Sequence, residues 1–234
     1  MGSSAEMRAI VLADGDGPER AALDARWPGW RADVALVVAA DGGAILAEPL
    51  GLSIDRWVGD GDSLAPREIE RLRAAGVPID LAPADKDESD TELAILAAVR
   101  AGATDLTILG ALGGPRLDHA LANVALLAHP ALAGRTARLL DARTRVSLVV
   151  GPATSGGPGI DRFEGRLGDL VSLLPLSASA EGITTTGLRY PLRDERLVVG
   201  PARGLSNVRT EKLATVSVRE GRLLVIESPA TLPP

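Results

Sequence analysis

Short apolar runs alternate with segments of helical spacing over the first 150 or so residues. Continuous apolar runs at 8–13 and 34–40 are typical of strands that are buried on both faces of a sheet. Residues 91–101 have a strong helical pattern, preceded by a Ser89/Glu92 capping box. Further strands are predicted at 56–59, 104–111 and within 136–150, and further helices at 18–27, 66–75 and 118–127. The alternation predicts an α/β domain over residues 7–150 with a mostly parallel sheet.

The pattern changes in the last 80 or so residues, where no long helical period occurs. A glycine-rich segment at 156–159 is typical of a linker or loop, and Glu220-Gly221 is typical of a hairpin turn. We therefore predict a small all-β domain over residues 156–230, either a sandwich or a partly open barrel. Its predicted strands are 170–175, 182–187, 197–200, 215–218 and 223–226.

The composition restricts the chemistry that the chain can perform. The chain has no cysteine, which excludes disulfides, zinc–thiolate sites and thiol catalysis. Its only histidines are His119 and His129, too few for a multi-histidine metal site. A bound metal would therefore be held by oxygen atoms, which Mg²⁺ and Mn²⁺ prefer.

Charge and hydropathy make two classes of partner improbable. The net charge is −6, and no basic stretch is dense enough to bind a row of phosphates, so we expect no nucleic-acid partner. No run approaches the roughly 20 apolar residues that cross a bilayer, so we expect no membrane partner. The first seven residues lack the pattern of a secretory signal, and we expect a cytoplasmic protein.

Acidic residues follow directly on several predicted strands. Asp14, Asp41 and Asp60 each end an apolar run, and the carboxyl ends of parallel strands meet at one edge of a sheet, where ligands bind. Asp14, in Asp-Gly-Asp-Gly, is better explained as a turn residue. Asp41 precedes Gly42 and Gly43, which favour either a close approach of the backbone to a phosphate or a tight turn between strand and helix.

The loop Gly59-Asp60-Gly61-Asp62-Ser63 indicates a metal site more strongly. Two carboxylates one residue apart repel each other, and a divalent cation is the simplest compensating charge. The acidic run at 85–92 precedes the predicted helix at 91–101. One explanation of this acidic run is helix capping and a solvated surface. The other is a phosphate bound at the helix N-terminus, where Lys86 would contact the phosphate and one acid would complete the metal shell.

A second glycine-rich loop follows the strand predicted at 104–111. Residues 110–114 contain three glycines, and Arg116 follows them, well placed to reach phosphate oxygens. The loop has neither the Gly-Lys-Ser/Thr ending of a Walker A loop nor the spacing of a dinucleotide fingerprint. Together these loops indicate a site for a nucleotide and magnesium, and direct in-line transfer of a phosphorus group is the simplest mechanism.

Six motifs in order over nearly the whole chain resemble those of the thiamine pyrophosphokinase family. They are Ala40-Asp41-Gly42-Gly43-Ala44, Gly59-Asp60-Gly61-Asp62-Ser63, the acidic run at 85–92, residues 110–119 with Asn123, Gly187-Leu188-Arg189-Tyr190-Pro191-Leu192, and Gly204-Leu205-Ser206-Asn207 with the run at 221–226. The resemblance implies a Rossmann-like N-terminal α/β domain and a C-terminal β-sandwich, working as a homodimer. It also implies transfer of a pyrophosphoryl group from ATP to the hydroxyl of thiamine, with release of AMP.

The resemblance also implies roles for individual residues. Asp60, Asp62 and Asp90 would hold Mg²⁺ and the triphosphate, with Asp41 nearby as a further catalytic residue. Ser206 and Asn207 would contact the aminopyrimidine of thiamine. Trp57 and Tyr190 are the aromatic residues that we consider for stacking on thiamine. The residues on the ATP side would be Lys86, Arg116, Asp118, Gly42, Gly43 and Thr91.

The chain departs from the family pattern at three places. Gly61 stands where the family often has Phe, and Glu88-Ser89 stands where it has Gln-Thr. Pro115 is inserted before Arg116, which affects the position of that arginine. Two other functions fit the residues: transfer to a different alcohol, and a module that binds thiamine or a nucleotide without catalysis.

Overall fold

The computed structural model describes residues 6–152 and 157–230. The chain forms two compact units that are divided between Ala142 and Arg143. The domain boundaries expected from the sequence, at 150 and 156, stay predictions, and Gly156 lies outside the described residues. None of the helices in the described parts of the chain has the length and apolar character needed to cross a bilayer.

The first unit contains a parallel sheet and five α-helices within its described residues. The strand order is β4-β3-β2-β1-β5-β6, and every neighbouring pair is parallel. The strands are β1 (Arg8–Leu12), β2 (Val34–Ala40), β3 (Arg56–Gly59), β4 (Ile79–Leu81), β5 (Asp105–Leu109) and β6 (Thr136–Leu140), and the helices are α1 (Arg20–Arg26), α2 (Ala47–Leu50), α3 (Pro66–Ala74), α4 (Asp90–Arg100) and α5 (Leu117–Leu126). The predicted α/β organisation is confirmed.

The strand order identifies the edge of the sheet at which a ligand would bind. From β1 the chain adds β2, β3 and β4 on one side, and β5 and β6 on the other. β1 and β5 are therefore the neighbouring strands at which the strand order reverses, and ligands of parallel α/β sheets bind at the carboxyl edge beside such a reversal. The core beneath this edge is apolar, with Ile10, Leu12, Trp57 and Leu109 fully buried.

Helix α4 begins as the sequence predicts. Its N-cap is Ser89, whose hydroxyl oxygen accepts a hydrogen bond from the backbone N–H of Glu92 at 3.2 Å. Ala94, Ile95 and Ala98 lie on the face that is buried, and the helix packs against β1, β2 and β3. The cap therefore holds the first turn of α4, including Asp90, above the neighbouring strands.

The second unit is an antiparallel arrangement of strands with its own apolar core. Its strand order is β7-β13-β9-β12-β8, and β10 and β11 also pair with β9. The core contains Val171, Leu173, Ile183, Val216 and Leu223. The strands are β7 (Arg145–Gly151), β8 (Gly159–Glu164), β9 (Leu170–Thr186), β10 (Glu195–Val198), β11 (Asn207–Val208), β12 (Leu213–Val218) and β13 (Glu220–Ser228). The predicted all-β character is confirmed.

Two predictions for this unit are wrong in detail. The runs at 170–175 and 182–187 belong to the single strand β9, whose first part pairs with β13 and whose end pairs with β12. Glu220-Gly221 does not connect a hairpin, because β12 pairs with β8 and β9 whereas β13 pairs with β7 and β9. Both errors concern strand partners, which lie far away along the chain.

Candidate active site

Three aspartates from the loops after β2 and β3 meet at the carboxyl edge of the parallel sheet. Asp41, Asp60 and Asp62 each offer a carboxylate oxygen, and these oxygens lie within 4.8 Å of one another. Asp41 directly follows β2, and Asp60 directly follows β3. Of the three aspartates expected to converge from the strand ends, Asp41 and Asp60 belong to this group, and Asp14 lies outside it.

Asp41 is the most buried member of this group. Its relative exposure is 2%, and one carboxylate oxygen, Oδ2, accepts the backbone N–H of Ser63 at 3.2 Å. The other oxygen, Oδ1, is buried and has no hydrogen-bond partner among the described residues. Burial raises the pKa of Asp41 to about 6, with the Ser63 hydrogen bond opposing this and the charge of Asp90 adding to it. Such an oxygen is suited to a cation.

Lys86 joins two of the predicted metal ligands. Its Nζ lies 2.9 Å from Asp60 Oδ2 and 3.1 Å from Asp90 Oδ1. Burial opposes the positive charge, but the two carboxylates together raise the pKa of Lys86. The hydrogen bond from Lys86 is also the main cause of the lowered pKa of Asp60. Asp90, at the start of α4, is thus brought to the loop after β3.

The charges of this set fit a divalent cation. Asp41, Asp60, Asp62 and Asp90 carry four negative charges when ionised, and Lys86 supplies one positive charge. Carboxylate oxygens are the ligands that hard cations such as Mg²⁺ prefer. The unpartnered buried oxygen of Asp41 is a second feature that favours a cation, because a buried carboxylate oxygen without a partner is costly.

Gly42 and Gly43 allow the loops at this edge to pass close to one another. A Cβ added to Gly42 would lie 2.2 Å from Asp14 Oδ1, and one added to Gly43 would lie 2.3 Å from the carbonyl oxygen of Leu12. Asp14 is therefore packed directly against the turn after β2. A larger residue at Gly43 would collide with the backbone at the end of β1, whereas one at Gly42 would displace the side chain of Asp14.

The residues predicted on the ATP side lie at the starts of α4 and α5. Thr91 is in the first turn of α4 and is partly buried. Arg116 immediately precedes α5, and its Nε donates to Asp118 Oδ1 at 3.2 Å on the exposed surface. This hydrogen bond lowers the pKa of Asp118. Arg116 therefore has an acidic partner within its own helix turn in this structure.

Ser206 and Asn207 differ sharply in their surroundings. Ser206 is exposed and has a left-handed backbone, with φ of 56°. The side chain of Asn207 is buried and is used by the backbone: its Oδ1 accepts from the N–H of Tyr190 at 3.0 Å, and its Nδ2 donates to the carbonyl of Tyr190 at 2.7 Å. Asn207 therefore fixes the position of the Tyr190 backbone through two hydrogen bonds.

Trp57 and Tyr190 were the two aromatic residues considered for stacking on thiamine, and the prediction for Trp57 is wrong. Trp57 is fully buried, and its indole N–H donates to the carbonyl oxygen of Asp41 at 3.0 Å. It supports the acidic turn from beneath and has no free ring face. Tyr190 is 63% exposed and keeps an accessible ring.

Two residues at this edge were not selected from the sequence. Ser63 donates its backbone N–H to Asp41 and its hydroxyl to Asp62 Oδ1 at 3.0 Å, and so it orders both carboxylates. Its place directly after the second aspartate was the available signal. From the sequence, Asp16 is only a member of the turn segment Asp-Gly-Asp-Gly. In the structure its Oδ2 accepts the backbone N–H of Gly114 at 2.8 Å.

Comparison with known proteins agrees with this arrangement. The sequence profile of the thiamin pyrophosphokinase catalytic domain matches residues 30–138, and that of the thiamin pyrophosphokinase vitamin B1 binding domain matches residues 160–223. A thiamine pyrophosphokinase of Bacillus subtilis is 27% identical over 200 residues, which cover 86% of this chain and 90% of that protein.

Solved structures give the same result. The crystal structure of the Bacillus subtilis thiamine pyrophosphokinase superposes with a TM-score of 0.79 at 26% identity, covering 95% of this chain and 99% of that one. A thiamin pyrophosphokinase family protein from Enterococcus faecalis has a TM-score of 0.76 at 27% identity, covering 96% and 100%. The chain belongs to the thiamine pyrophosphokinase family.

Proposed function

We propose that this protein is a thiamine pyrophosphokinase, which transfers a pyrophosphoryl group from ATP to the hydroxyl of thiamine and releases AMP. The observation that carries the proposal is the convergence of Asp41, Asp60 and Asp62 at the carboxyl edge of the sheet. A family match in both units supports the same reaction.

Asp60, Asp62 and Asp90 hold Mg²⁺ in this proposal, and Asp41 lies beside them. The support is the cluster of carboxylate oxygens from Asp41, Asp60 and Asp62, together with the buried Oδ1 of Asp41 that lacks a partner among the described residues. Asp90 is connected to this cluster through Lys86. When bound, the ion supplies charge neutralisation for the triphosphate. Lys86 holds Asp60 and Asp90 together and leaves its third N–H for a phosphate oxygen.

The ATP side is formed by the turn after β2 and by the starts of α4 and α5. The two glycines of the turn bring the backbone close to the bound phosphates, and the first turn of α4 offers unpaired N–H groups. Arg116 exchanges Asp118 for a phosphate oxygen when ATP binds. The residues are Gly42, Gly43, Lys86, Thr91, Arg116 and Asp118.

The chemical step is a direct in-line displacement. The hydroxyl oxygen of thiamine forms a bond to the β-phosphorus, and the bond from that phosphorus to the oxygen of the α-phosphate breaks, so that AMP leaves with that oxygen. The hydroxyl proton passes to a carboxylate of the set formed by Asp41, Asp60, Asp62 and Asp90. The residues of the chain thus position both reactants and accept the proton.

Thiamine binding involves the second unit. We infer that the exposed Ser206 contacts the aminopyrimidine and that Asn207 acts with it by holding the backbone of Tyr190. The exposed ring of Tyr190 is then available to stack on an aromatic ring of thiamine. Trp57, being fully buried, has no part in this contact.

The finer description of the fold and assembly follows the family. We infer a Rossmann-like first domain and a β-sandwich second domain, with the predicted boundaries 7–150 and 156–230. The protein is proposed to work as a cytoplasmic homodimer. Light scattering should give twice the mass of the chain, and the mass of a single chain would contradict the dimer.

The function is tested by incubating the protein with ATP, Mg²⁺ and thiamine and separating the products by chromatography. Equal amounts of AMP and thiamine diphosphate are expected. AMP that appears with another alcohol but not with thiamine would favour a different acceptor. Binding of thiamine or ATP without any AMP would favour a non-catalytic binding module.

A further inference from the structure

The loops that follow β1 and β5 lie against each other without room for side chains. The backbone N–H of Gly15 donates to the carbonyl oxygen of Gly110 at 2.8 Å. A Cβ added to Gly15 would lie 2.4 Å from that same oxygen, and one added to Gly110 would lie 2.3 Å from the carbonyl oxygen of Ala13. The Asp-Gly-Asp-Gly segment is therefore part of the architecture of the second glycine-rich loop.

Asp16 makes the contact that fixes the far end of this loop. Its Oδ2 accepts the backbone N–H of Gly114 at 2.8 Å, across 98 positions of sequence. Gly113 and Gly114 both have left-handed backbones, with φ of 88° and 84°. Glycine has access to more backbone conformations than any other residue, so two consecutive glycines leave the path of this turn weakly determined. The hydrogen bond from Gly114 selects one of them.

Pro115 increases the importance of this hydrogen bond. Proline has no N–H, so Gly114 carries the last backbone donor before Arg116. Arg116 is the N-cap residue of α5, so the turn at 113–114 determines where the guanidinium and the first turn of α5 are placed. The inserted proline and the distant Asp16 thus restrict neighbouring residues of the same short segment, directly before Arg116.

We propose that Asp16 is a positioning residue for ATP binding: its carboxylate holds the Gly114 N–H and so places Arg116 and the start of α5. This inference rests on the proposed function, because it takes the loop at 110–116 as part of the ATP site. Asp16 itself need not touch ATP, because it acts through the N–H of Gly114.

Two variants separate the hydrogen bond from the charge. Asp16→Ala removes both, whereas Asp16→Asn keeps a side-chain oxygen that accepts the same N–H. Asp16→Ala is expected to raise the KM for ATP about five- to tenfold, the effect of losing one such hydrogen bond, while the KM for thiamine stays unchanged. Asp16→Asn should remain close to wild type. Glu70→Ala, an exposed acid on α3, serves as the control.

Two further measurements make the test independent of turnover. Hydrogen exchange of the Gly114 amide should become faster in Asp16→Ala than in Asp16→Asn. Calorimetry with the α,β-methylene analogue of ATP should show the same loss of affinity as the KM. If the wild type binds the analogue with this dependence on Asp16 but makes no thiamine diphosphate, the proposed function fails while the role of Asp16 stands.

The opposite results would overturn the role. An unchanged KM and analogue affinity in Asp16→Ala would show that the loop needs no support from Asp16. Tighter ATP binding in Asp16→Ala would show that the carboxylate competes with phosphate for the Gly114 N–H. Equal losses in the alanine and asparagine variants would assign the effect to charge, and a wild type that binds no analogue would overturn both proposals.

Discussion

The ammonium group of Lys86 lies 2.9 Å from the carboxylate of Asp60, and both side chains are largely shielded from solvent, with exposures of 11% and 14%. The same ammonium reaches Asp90 at the start of α4. One positive charge thus connects two acidic segments that repel each other in its absence. This relationship leads to the first prediction.

Lys86→Gln should lower kcat/KM for ATP at least tenfold, because the proposed contact to phosphate is lost and Asp60 and Asp90 then repel each other. Without added metal, the free energy of unfolding should fall by about 1 kcal/mol at low salt. Steady-state kinetics and urea denaturation measure the two effects. Lys212→Gln is the matched control, since Lys212 is 80% exposed and lies 4.0 Å from Glu164. A wild-type KM for ATP in Lys86→Gln would remove the proposed phosphate contact.

Asp62→Asn should reduce turnover at least about 100-fold without unfolding the protein. Asp62 is exposed, so its replacement by a neutral residue of the same shape leaves the core intact. Turnover is followed by AMP release, and folding by the thermal midpoint. Asp87→Asn, an exposed acid in the run at 85–92, is the control. Undiminished AMP release in Asp62→Asn would exclude Asp62 from the metal site.

Asp41→Asn should stabilise the metal-free protein above pH 6. Burial raises the pKa of Asp41 from 3.8 to about 6 in the folded chain, so ionisation of this carboxyl opposes folding. The favourable contribution of Asp41 is therefore complete below pH 3.8 and is lost as the pH rises through 6. Because one unit of pKa difference corresponds to about 1.4 kcal/mol, the stability gained by the variant should grow from less than about 1 kcal/mol at about pH 4 to roughly 3 kcal/mol at about pH 7.5.

Urea denaturation in a chelator, repeated across this pH range, measures that difference. The asparagine oxygen still accepts the Ser63 N–H, and asparagine tolerates the left-handed backbone at this position, where φ is 43°. Added Mg²⁺ should stabilise the wild type more than the variant. A stability difference that does not change with pH would contradict the raised pKa of Asp41.

Glu227→Gln should destabilise the second unit by about 3–5 kcal/mol. Glu227 Oε2 lies 2.6 Å from Arg209 Nη2, and both side chains are almost completely buried, with exposures of 3% and 0%. The other oxygen of Glu227, Oε1, lies 2.6 Å from Nη2 of Arg145. Removing the carboxylate leaves a buried guanidinium without its counter-charge, and this costs more than the pair contributes. Glu164→Gln, at an exposed position of the same unit, should change the free energy of unfolding by less than about 0.5 kcal/mol. Similar small effects of both substitutions would contradict the buried pair.

Ser206→Ala and Asn207→Ala should have different effects. Ser206 is exposed, so its substitution should raise the KM for thiamine and leave stability nearly unchanged. Asn207 is buried and bonds the backbone of Tyr190, so its substitution should cost about 1–3 kcal/mol of folding free energy as well. Kinetics with varied thiamine and urea denaturation separate the two roles. If Asn207→Ala kept full stability, its assignment as a support for Tyr190 would be wrong.

Local patterns were sufficient for the elements around the site. The apolar runs of β1 and β2 and the cap of α4 at Ser89 involve residues close in sequence, and all three are present as predicted. The convergence of Asp41 and Asp60 also followed from sequence, because parallel strands place their carboxyl ends at one edge.

Contacts between distant segments depend on the tertiary structure. The sequence contains no signal that Trp57 lies beneath Asp41, that Asp16 bonds Gly114, or that β9 is one strand shared by β12 and β13. The raised pKa of Asp41 likewise arises from burial by neighbouring loops. Periodicity and capping are properties of a few adjacent residues, whereas burial and pairing depend on which remote segment the completed fold brings into contact.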